Sequence, residues 1–321
     1  MSDISTKRLM LFSGSSNLEL ARSIATELGC GLGKVKLDRF SDGEIYVKYL
    51  ESVRGADVFV LQTCSHPINE NIMELLVMID ALKRASARCI SAVMPYFGYA
   101  RQDKKISARE PITSKLLADL VSTAGADRVL SMDLHAGQIQ GFFNVPVDHL
   151  TAIPLLASYF KEKNFENVAV VSPDVGGVKR ASKFADRLHA SLAIMDKRRP
   201  SHNVAAVLHV IGDVRDKSVI IVDDLIDTAG TVIASAEYLL TEGAKEVYVT
   251  CTHAVLSGQA CQRLREAPIK EVVVTDTVPI PEEKRFESLT VISVSSILAE
   301  TIRHVYADES VSELFEGDNL L

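Results

Sequence analysis

A chain of 321 residues, 47% apolar and with a formal net charge of −7, has material for two domains of ordinary size and excludes a general nucleic-acid-binding surface. Its five cysteines are odd in number and widely spaced, with no Cys-x-x-Cys pair. They form neither a disulfide framework nor a zinc pattern and read as thiols of a reducing cytosol. The first residues lack an apolar signal core, and no run approaches the roughly 18 apolar residues that span a bilayer, so a cytoplasmic protein with no membrane association is expected.

Strand and helix patterns alternate along the chain. Residues 9–13 read as a strand, 18–28 as a helix, 57–62 as a strand and 68–85 as a long helix with apolar residues at helical spacing. A strand at 90–94, a helix at 113–124 and a strand at 128–132 follow. From about Thr151 the pattern restarts, with helices at 153–163 and 178–188 and strands at 168–171 and 192–195. Segments 219–222, 232–242, 247–251, 257–265, 271–274 and 289–294 continue it. This alternation predicts α/β architecture in two similar domains, 1–150 and 151–305, each a mostly parallel sheet flanked by helices. Residues 306–321 are acidic and weakly patterned, and read as a loosely held tail or a docked terminal helix. The stretch Ser131 to Gln138 echoes Val222 to Gly230 in residue type, which suggests duplication of one ancestral half.

The most informative string is 219–231, Val-Ile-Ile-Val-Asp-Asp-Leu-Ile-Asp-Thr-Ala-Gly-Thr. Four apolar residues make a buried strand, and Asp223 and Asp224 stand where it is expected to end. Ligands of open parallel sheets bind beyond the carboxyl ends of the strands. Paired carboxylates accept hydrogen bonds from vicinal hydroxyls or hold a divalent cation. Thr228, Ala229, Gly230 and Thr231 offer N–H groups and hydroxyls to a phosphate at a helix start. The plainer reading, an acidic cap on the next helix, covers Asp224 alone but not the whole string.

Other strand ends carry chemistry of their own. Residues 95–105 mix Tyr96, Phe97 and Tyr99 with Arg101, Lys104 and Lys105, as a phosphate- and purine-binding loop or as a solvated charged loop. His135 follows a strand, as a metal ligand, a phosphate donor or a structural histidine. Asp174 precedes Gly176-Gly177, placed for a sugar hydroxyl or a metal-bound water, or as a helix cap. Asp196-Lys197-Arg198-Arg199-Pro200 reads as a basic loop after a strand. Arg39 to Glu44 reads first as a surface hairpin turning at Asp42-Gly43. The dinucleotide fingerprint Gly-x-Gly-x-x-Gly is missing after the first strand. Gly33-Lys34 is no P-loop, since Val35 replaces the required Ser or Thr.

Together these segments, in this order and spacing over nearly the whole chain, resemble the ribose-phosphate pyrophosphokinase family, and 219–231 resembles its ribose-5-phosphate motif. The resemblance implies two phosphoribosyltransferase-like domains and transfer of the pyrophosphoryl group of ATP to ribose 5-phosphate, with Mg2+, giving phosphoribosyl pyrophosphate and AMP. It implies that Asp223, Asp224, Asp227, Thr228, Ala229, Gly230 and Thr231 hold the sugar phosphate and that Lys197 and Arg199 are catalytic on a mobile loop. It places Arg101, Gln102 and Asp103 at ATP, with Phe40, Asp42 and Glu44 forming the adenine pocket of a neighbouring subunit. His135 and Asp174 fall at the metal. Ser52, Arg54, Gln140, Asp148, Ser310, Ser312 and Phe315 fall at a regulatory site for activating phosphate and inhibitory ADP. A homohexamer is implied as well. A phosphoribosyltransferase and a non-catalytic regulatory relative are the competing readings.

Overall fold

The computed structural model describes residues 7–198 and 207–315. Two compact units divide it: one runs to Leu150 and regains the chain from Ser293, and the other is Thr151–Ile292. The domain boundary read from the sequence, 151–305, therefore differs from the compact unit at its far end.

Unit 1 holds β1 (Leu9–Ser13), α1 (Leu18–Leu28), β2 (Val35–Arg39), β3 (Ile45–Tyr49), β4 (Asp57–Leu61), α2 (Ile68–Arg84), β5 (Cys89–Met94), α3 (Thr113–Ala124), β6 (Arg128–Met132) and β7 (Val147–Leu150). Its sheet runs β1-β4-β5-β6-β7, every pairing parallel, with β2 and β3 as a separate antiparallel hairpin. All five residues of β4 are buried, because helices cover both faces of a parallel sheet. Phe12, Phe59, Leu75, Met78 and Ile79 are fully buried there. Each such side chain contributes about 1.5–3 kcal/mol by leaving water.

Unit 2 holds α4 (Ile153–Glu162), β8 (Val168–Ser172), α5 (Val178–Leu188), β9 (Ser191–Arg198), β10 (Val207–Ile211), β11 (Ser218–Ile226), α6 (Gly230–Thr241), β12 (Glu246–Ala254), α7 (Ala260–Glu266), β13 (Glu271–Thr275) and β14 (Leu289–Ile292). Its sheet runs β10-β9-β8-β11-β12-β13-β14, parallel except where β10 folds back on β9. The chain ends in α8 (Ser295–Ala307) and a 3-10 turn, Ser312–Phe315.

The two halves share one plan. β1 neighbours β4 as β8 neighbours β11, and an antiparallel hairpin (β2-β3, β9-β10) falls between them in sequence. The sheet then continues in chain order to β7 or β14, and a helix follows, α4 or α8. Duplication is thus supported, but with a corrected register. β6, which ends before His135, corresponds to β13. The partner of Asp223-Asp224 is Gln62-Thr63, since Leu61 ends β4 opposite Ser13 as Val222 follows the β11–β8 pairing.

The closing helices are exchanged. α4 follows the strands of the first half yet packs on α5 in unit 2; α8 follows those of the second half yet packs on α1 in unit 1. Leu298 and Ile302 of α8 are fully buried, and the chain beyond it is anchored by Val311 and Phe315. Of the segment read as a loosely held tail or a docked terminal helix, the part as far as Phe315 is held, ending in a short 3-10 turn.

Candidate functional site

β11 is longer than its apolar run suggests. The strand continues through Asp223 and Asp224 to Ile226, because β12 keeps pairing beside it: Asp223 with Cys251, Leu225 with His253, Ile226 with Ala254. On the other side pairing with β8 stops at Ile221–Val171. The two carboxylates therefore stand on a strand supported on one edge and open on the other.

Asp223 is half-buried and Asp224 buried. Between them comes Arg180 from α5, itself buried, with Nη1 3.8 Å from Asp223 and 3.5 Å from Asp224. These are long contacts for a guanidinium, and Arg180 Nε has no hydrogen-bond partner among the described residues. Burial, and next the charge of Asp224, push the Asp223 carboxyl well above the usual range, while Arg180 opposes the rise. A polar ligand presenting hydroxyls or a cation satisfies such a pair.

Beyond β11 the chain turns through Ala229, which takes a left-handed φ of 64°, into α6. Leu256 N–H donates to Ile226 O at 3.0 Å and Ser257 N–H to Asp227 O at 2.9 Å, which fixes the turn from behind. No side chain caps α6, and its first turn carries no acidic residue. Its first N–H groups are oriented for an anion, with Thr228, Gly230 and Thr231 exposed beside them. A Cβ on Gly230 meets nothing nearer than Thr228 Oγ1 at 4.0 Å, so the fold itself leaves room there.

Asp174 lies on the loop after β8, exposed, with Oδ1 accepting from Gly177 N–H at 2.9 Å. One oxygen thus shapes the loop, but the N-cap of α5 is Gly177 and no side chain caps the helix, so Asp174 is not its cap. A Cβ on Gly177 stands 2.9 Å from Ser172 Oγ and one on Gly176 3.2 Å from Asp174 Oδ1. The loop is therefore tight at Gly177, where a Cβ would press on the Ser172 hydroxyl, and easier at Gly176.

The segment read as a basic loop is in part strand. β9 extends through Asp196 and Lys197 to Arg198, with Lys197 opposite Leu208 of β10. Arg199 lies outside the described residues.

Unit 1 gathers the nucleotide residues at two strand ends. Asp103, buried, accepts from Gln138 Nε2 at 2.7 Å, which ties the loop after β5 to the loop carrying His135. Gln102 is held by Thr113 Oγ1 at 2.5 Å and Ser114 N–H at 3.2 Å. Arg101 and His135 are exposed. Leu134 N–H donates to His149 Nε2 at 3.0 Å beneath them. Phe40, Asp42 and Glu44 sit on the exposed turn between β2 and β3, as the hairpin reading expects, with Phe40 56% exposed and edge-on to Tyr46 at 5.6 Å. Tyr46 meets one side of this ring, and more than half of Phe40 stays exposed within unit 1.

All seven residues named for the regulatory site belong to unit 1. Asp148 pairs with Arg128 at 2.6 Å, Gln140 Nε2 donates to Gly137 O at 3.1 Å, and Ser52 O accepts from Arg8. Arg54 and Ser312 are exposed. Ser310 O lies 2.9 Å from His304 Nδ1, and Phe315 is buried beside a cavity of about 360 Å³ with Leu314 and Arg303. Sequence reasoning assigned no role to Arg180 or Gln138. Both lie in quoted motifs, but only the fold brings them to Asp224 and Asp103.

Among the described residues no group of three or more His, Cys, Asp or Glu stands together to hold a metal. Among the described residues no helix is long and apolar enough to cross a membrane.

Two family models match the chain: the N-terminal domain of ribose phosphate pyrophosphokinase over residues 9–125, and the phosphoribosyl synthetase-associated domain over 197–316. A ribose-phosphate pyrophosphokinase of Fusobacterium nucleatum is 54% identical, with 97% of this chain and 99% of that one covered. One from Caldanaerobacter subterraneus is 58% identical, over 97% and 98%. The crystal structure of a phosphoribosylpyrophosphate synthetase from Mycobacterium smegmatis, 49% identical, superposes with a TM-score of 0.90 over 94% of this chain and 100% of that one.

Proposed function

The chain belongs to the ribose-phosphate pyrophosphokinase family, and from that premise we propose how its residues divide the work. The enzyme makes phosphoribosyl pyrophosphate and AMP from ribose 5-phosphate and ATP. Relatives of near-equal length that carry this name favour it over a phosphoribosyltransferase or a non-catalytic partner.

The anomeric hydroxyl of the sugar attacks the β-phosphorus of ATP. Its proton is lost, the bond from the β-phosphorus to the bridging oxygen breaks, and AMP leaves with that oxygen. Charge spreads over the transferring oxygens, so catalysis consists mainly of alignment and cationic stabilisation. Asp223 and Asp224 accept the ribose hydroxyls, and the uncapped start of α6 takes the 5-phosphate. The observation that carries this assignment is the carboxylate pair, Asp223 half-buried and Asp224 buried, on an open strand edge next to an uncapped helix start. Arg101, Gln102 and Asp103 bind the nucleotide phosphates. Phe40, Asp42 and Glu44 serve the adenine of a neighbouring subunit, a role that the exposed ring of Phe40 supports. Lys197 and Arg199 stabilise the transferring phosphoryl oxygens.

Magnesium fits the donor set, because it characteristically takes one or two protein ligands and completes its shell with water and substrate phosphate. His135 of unit 1 would hold it at the nucleotide phosphates and Asp174 of unit 2 at the ribose side, and magnesium there would neutralise phosphate charge and acidify the attacking hydroxyl. Phosphate as activator, ADP as inhibitor, a hexamer and a cytoplasmic location complete the reading.

The test is AMP formation from ATP, Mg2+ and ribose 5-phosphate by the purified protein, with and without inorganic phosphate. AMP that depends on the sugar and rises with phosphate is the expected result. AMP that forms without the sugar contradicts the sugar assignment, and indifference to phosphate contradicts the regulatory one.

A further inference from the structure

Unit 1 carries the same strand-end loops as unit 2 and uses them differently. The loop after β1, residues 14–17, corresponds to the Asp174 loop after β8. Ser13 and Ser172 stand at the same register, and each hydroxyl donates at 2.7 Å to a carbonyl of its own loop, Gly14 O and Asp174 O. Gln62 stands where unit 2 has Asp223. At the second turn of the following helix, unit 2 carries the small buried Ser235 and Ala236 of α6, whereas α2 carries Glu74.

Glu74 is 5% exposed, and its carboxylate is held as a bound anion would be. Oε1 accepts from Ser15 N–H at 2.7 Å, Ser15 Oγ at 2.8 Å and Gln62 Nε2 at 2.8 Å. Oε2 lies 3.0 Å from Ser15 Oγ. Gln62 is clamped in turn: its Oε1 accepts from Ser16 Oγ at 2.7 Å and Ser16 N–H at 3.2 Å, and Nε2 also lies 3.1 Å from Asn71 O. A Cβ on Gly14 would stand 2.2 Å from Gln62 Oε1, so the loop backbone lies directly against this amide. A main-chain N–H, a hydroxyl and a side-chain amide converging on one carboxylate oxygen form an anion cradle. Its donors are neutral, so the carboxylate is stabilised by hydrogen bonding rather than by an ion pair.

We propose that the loop after β1 is a carboxylate-binding site whose occupant, Glu74, is tethered: the first half keeps the ligand loop of its ancestor in closed form, filled from within. In this half Gln62 supplies a donor where Asp223 supplies an acceptor, and Glu74 stands on α2 where α6 carries small buried residues. The comparison between halves is topological, and the test reads unit 1 alone, independent of any substrate assignment.

The experiment is thermal unfolding of the full-length Glu74→Ala protein with sodium formate, against sodium chloride at equal ionic strength. E74A is expected to melt several degrees below the parent. Formate, which fits the vacated space and restores two oxygens, is expected to recover part of the loss, while chloride does not and the parent ignores both. Glu74→Gln keeps the volume and one acceptor oxygen for the three donors that meet Oε1, so it is expected to melt above E74A and to stay deaf to formate. If E74A melts with the parent, or chloride restores it as well as formate does, the proposal fails. Should E74A not fold, amide exchange in the parent decides: the Ser15 N–H is expected to be protected at least tenfold over an open-loop amide. An unprotected Ser15 N–H overturns the proposal.

Discussion

Asp223 is under two opposed demands. It must be ionised to accept sugar hydroxyls, yet burial and the neighbouring Asp224 raise its carboxyl well above the ordinary range. The folded protein therefore binds this proton more tightly than the unfolded chain does. The resulting cost to stability is absent at low pH, grows as pH rises from the ordinary carboxylate value of about 4 toward the raised one, and is constant above it. Asp223→Asn is accordingly expected to melt higher than the parent near neutral pH, with the gain vanishing in acid, while the Michaelis constant for ribose 5-phosphate rises. A lower melting point at neutral pH would show that Arg180 needs both carboxylates. Lys197 makes the contrasting case, because its proposed role is confined to the transition state. Lys197→Ala is expected to lower turnover by about 10²–10³-fold with substrate affinities nearly unchanged. Steady-state kinetics equal to the parent's would remove it from the mechanism.

The start of α6 separates folding from binding at one position. A methyl at Gly230 meets only Thr228 Oγ1 at 4.0 Å in the protein, yet stands where a phosphate would approach. Gly230→Ala is expected to leave the melting temperature within a degree or two of the parent. It should raise the Michaelis constant for ribose 5-phosphate about tenfold, the effect of losing ~1.4 kcal/mol of binding. Unaltered sugar kinetics would move the phosphate elsewhere. The same element shows what a sequence can disclose. Hydrophobic period and turn residues revealed β1, β4, β5, β8, β11 and the helices between them, because a buried parallel strand is a dense apolar run. The extension of β11 through Asp223 and Asp224 was hidden. Two carboxylates break the apolar signal, and only pairing with β12 keeps them extended. β9 ran on through Lys197 for the same reason, sustained by β10. The edge strand β7 was missed because it is only four residues long, and the helix α8 because it is buried by α1, which lies at the far end of the sequence. Arg180 and Glu74 act through contacts between elements, which no local pattern encodes.

For the whole molecule the exchange of α4 and α8 matters most. The second half's closing helix completes the first half's layer on α1, with Leu298 and Ile302 fully buried. Removing the chain from Ser295 onward is therefore expected to destabilise unit 1 rather than trim a tail. At about 2–5 kcal/mol for each large apolar side chain lost from a core, unit 1 would fall to the edge of folding. Limited proteolysis should then cut first within residues 7–150, and early cleavage within Thr151–Ile292 instead would refute the expectation. The exchange also bears on how the protein comes into being. On the ribosome the first half must wait, incomplete, until almost the last residue has been made, while the second half already has its borrowed helix. A gene cut after the codon for Leu150 would give a second fragment that holds all of unit 2 and should fold alone, and a first fragment that lacks α8 and should fold only when the second is co-expressed.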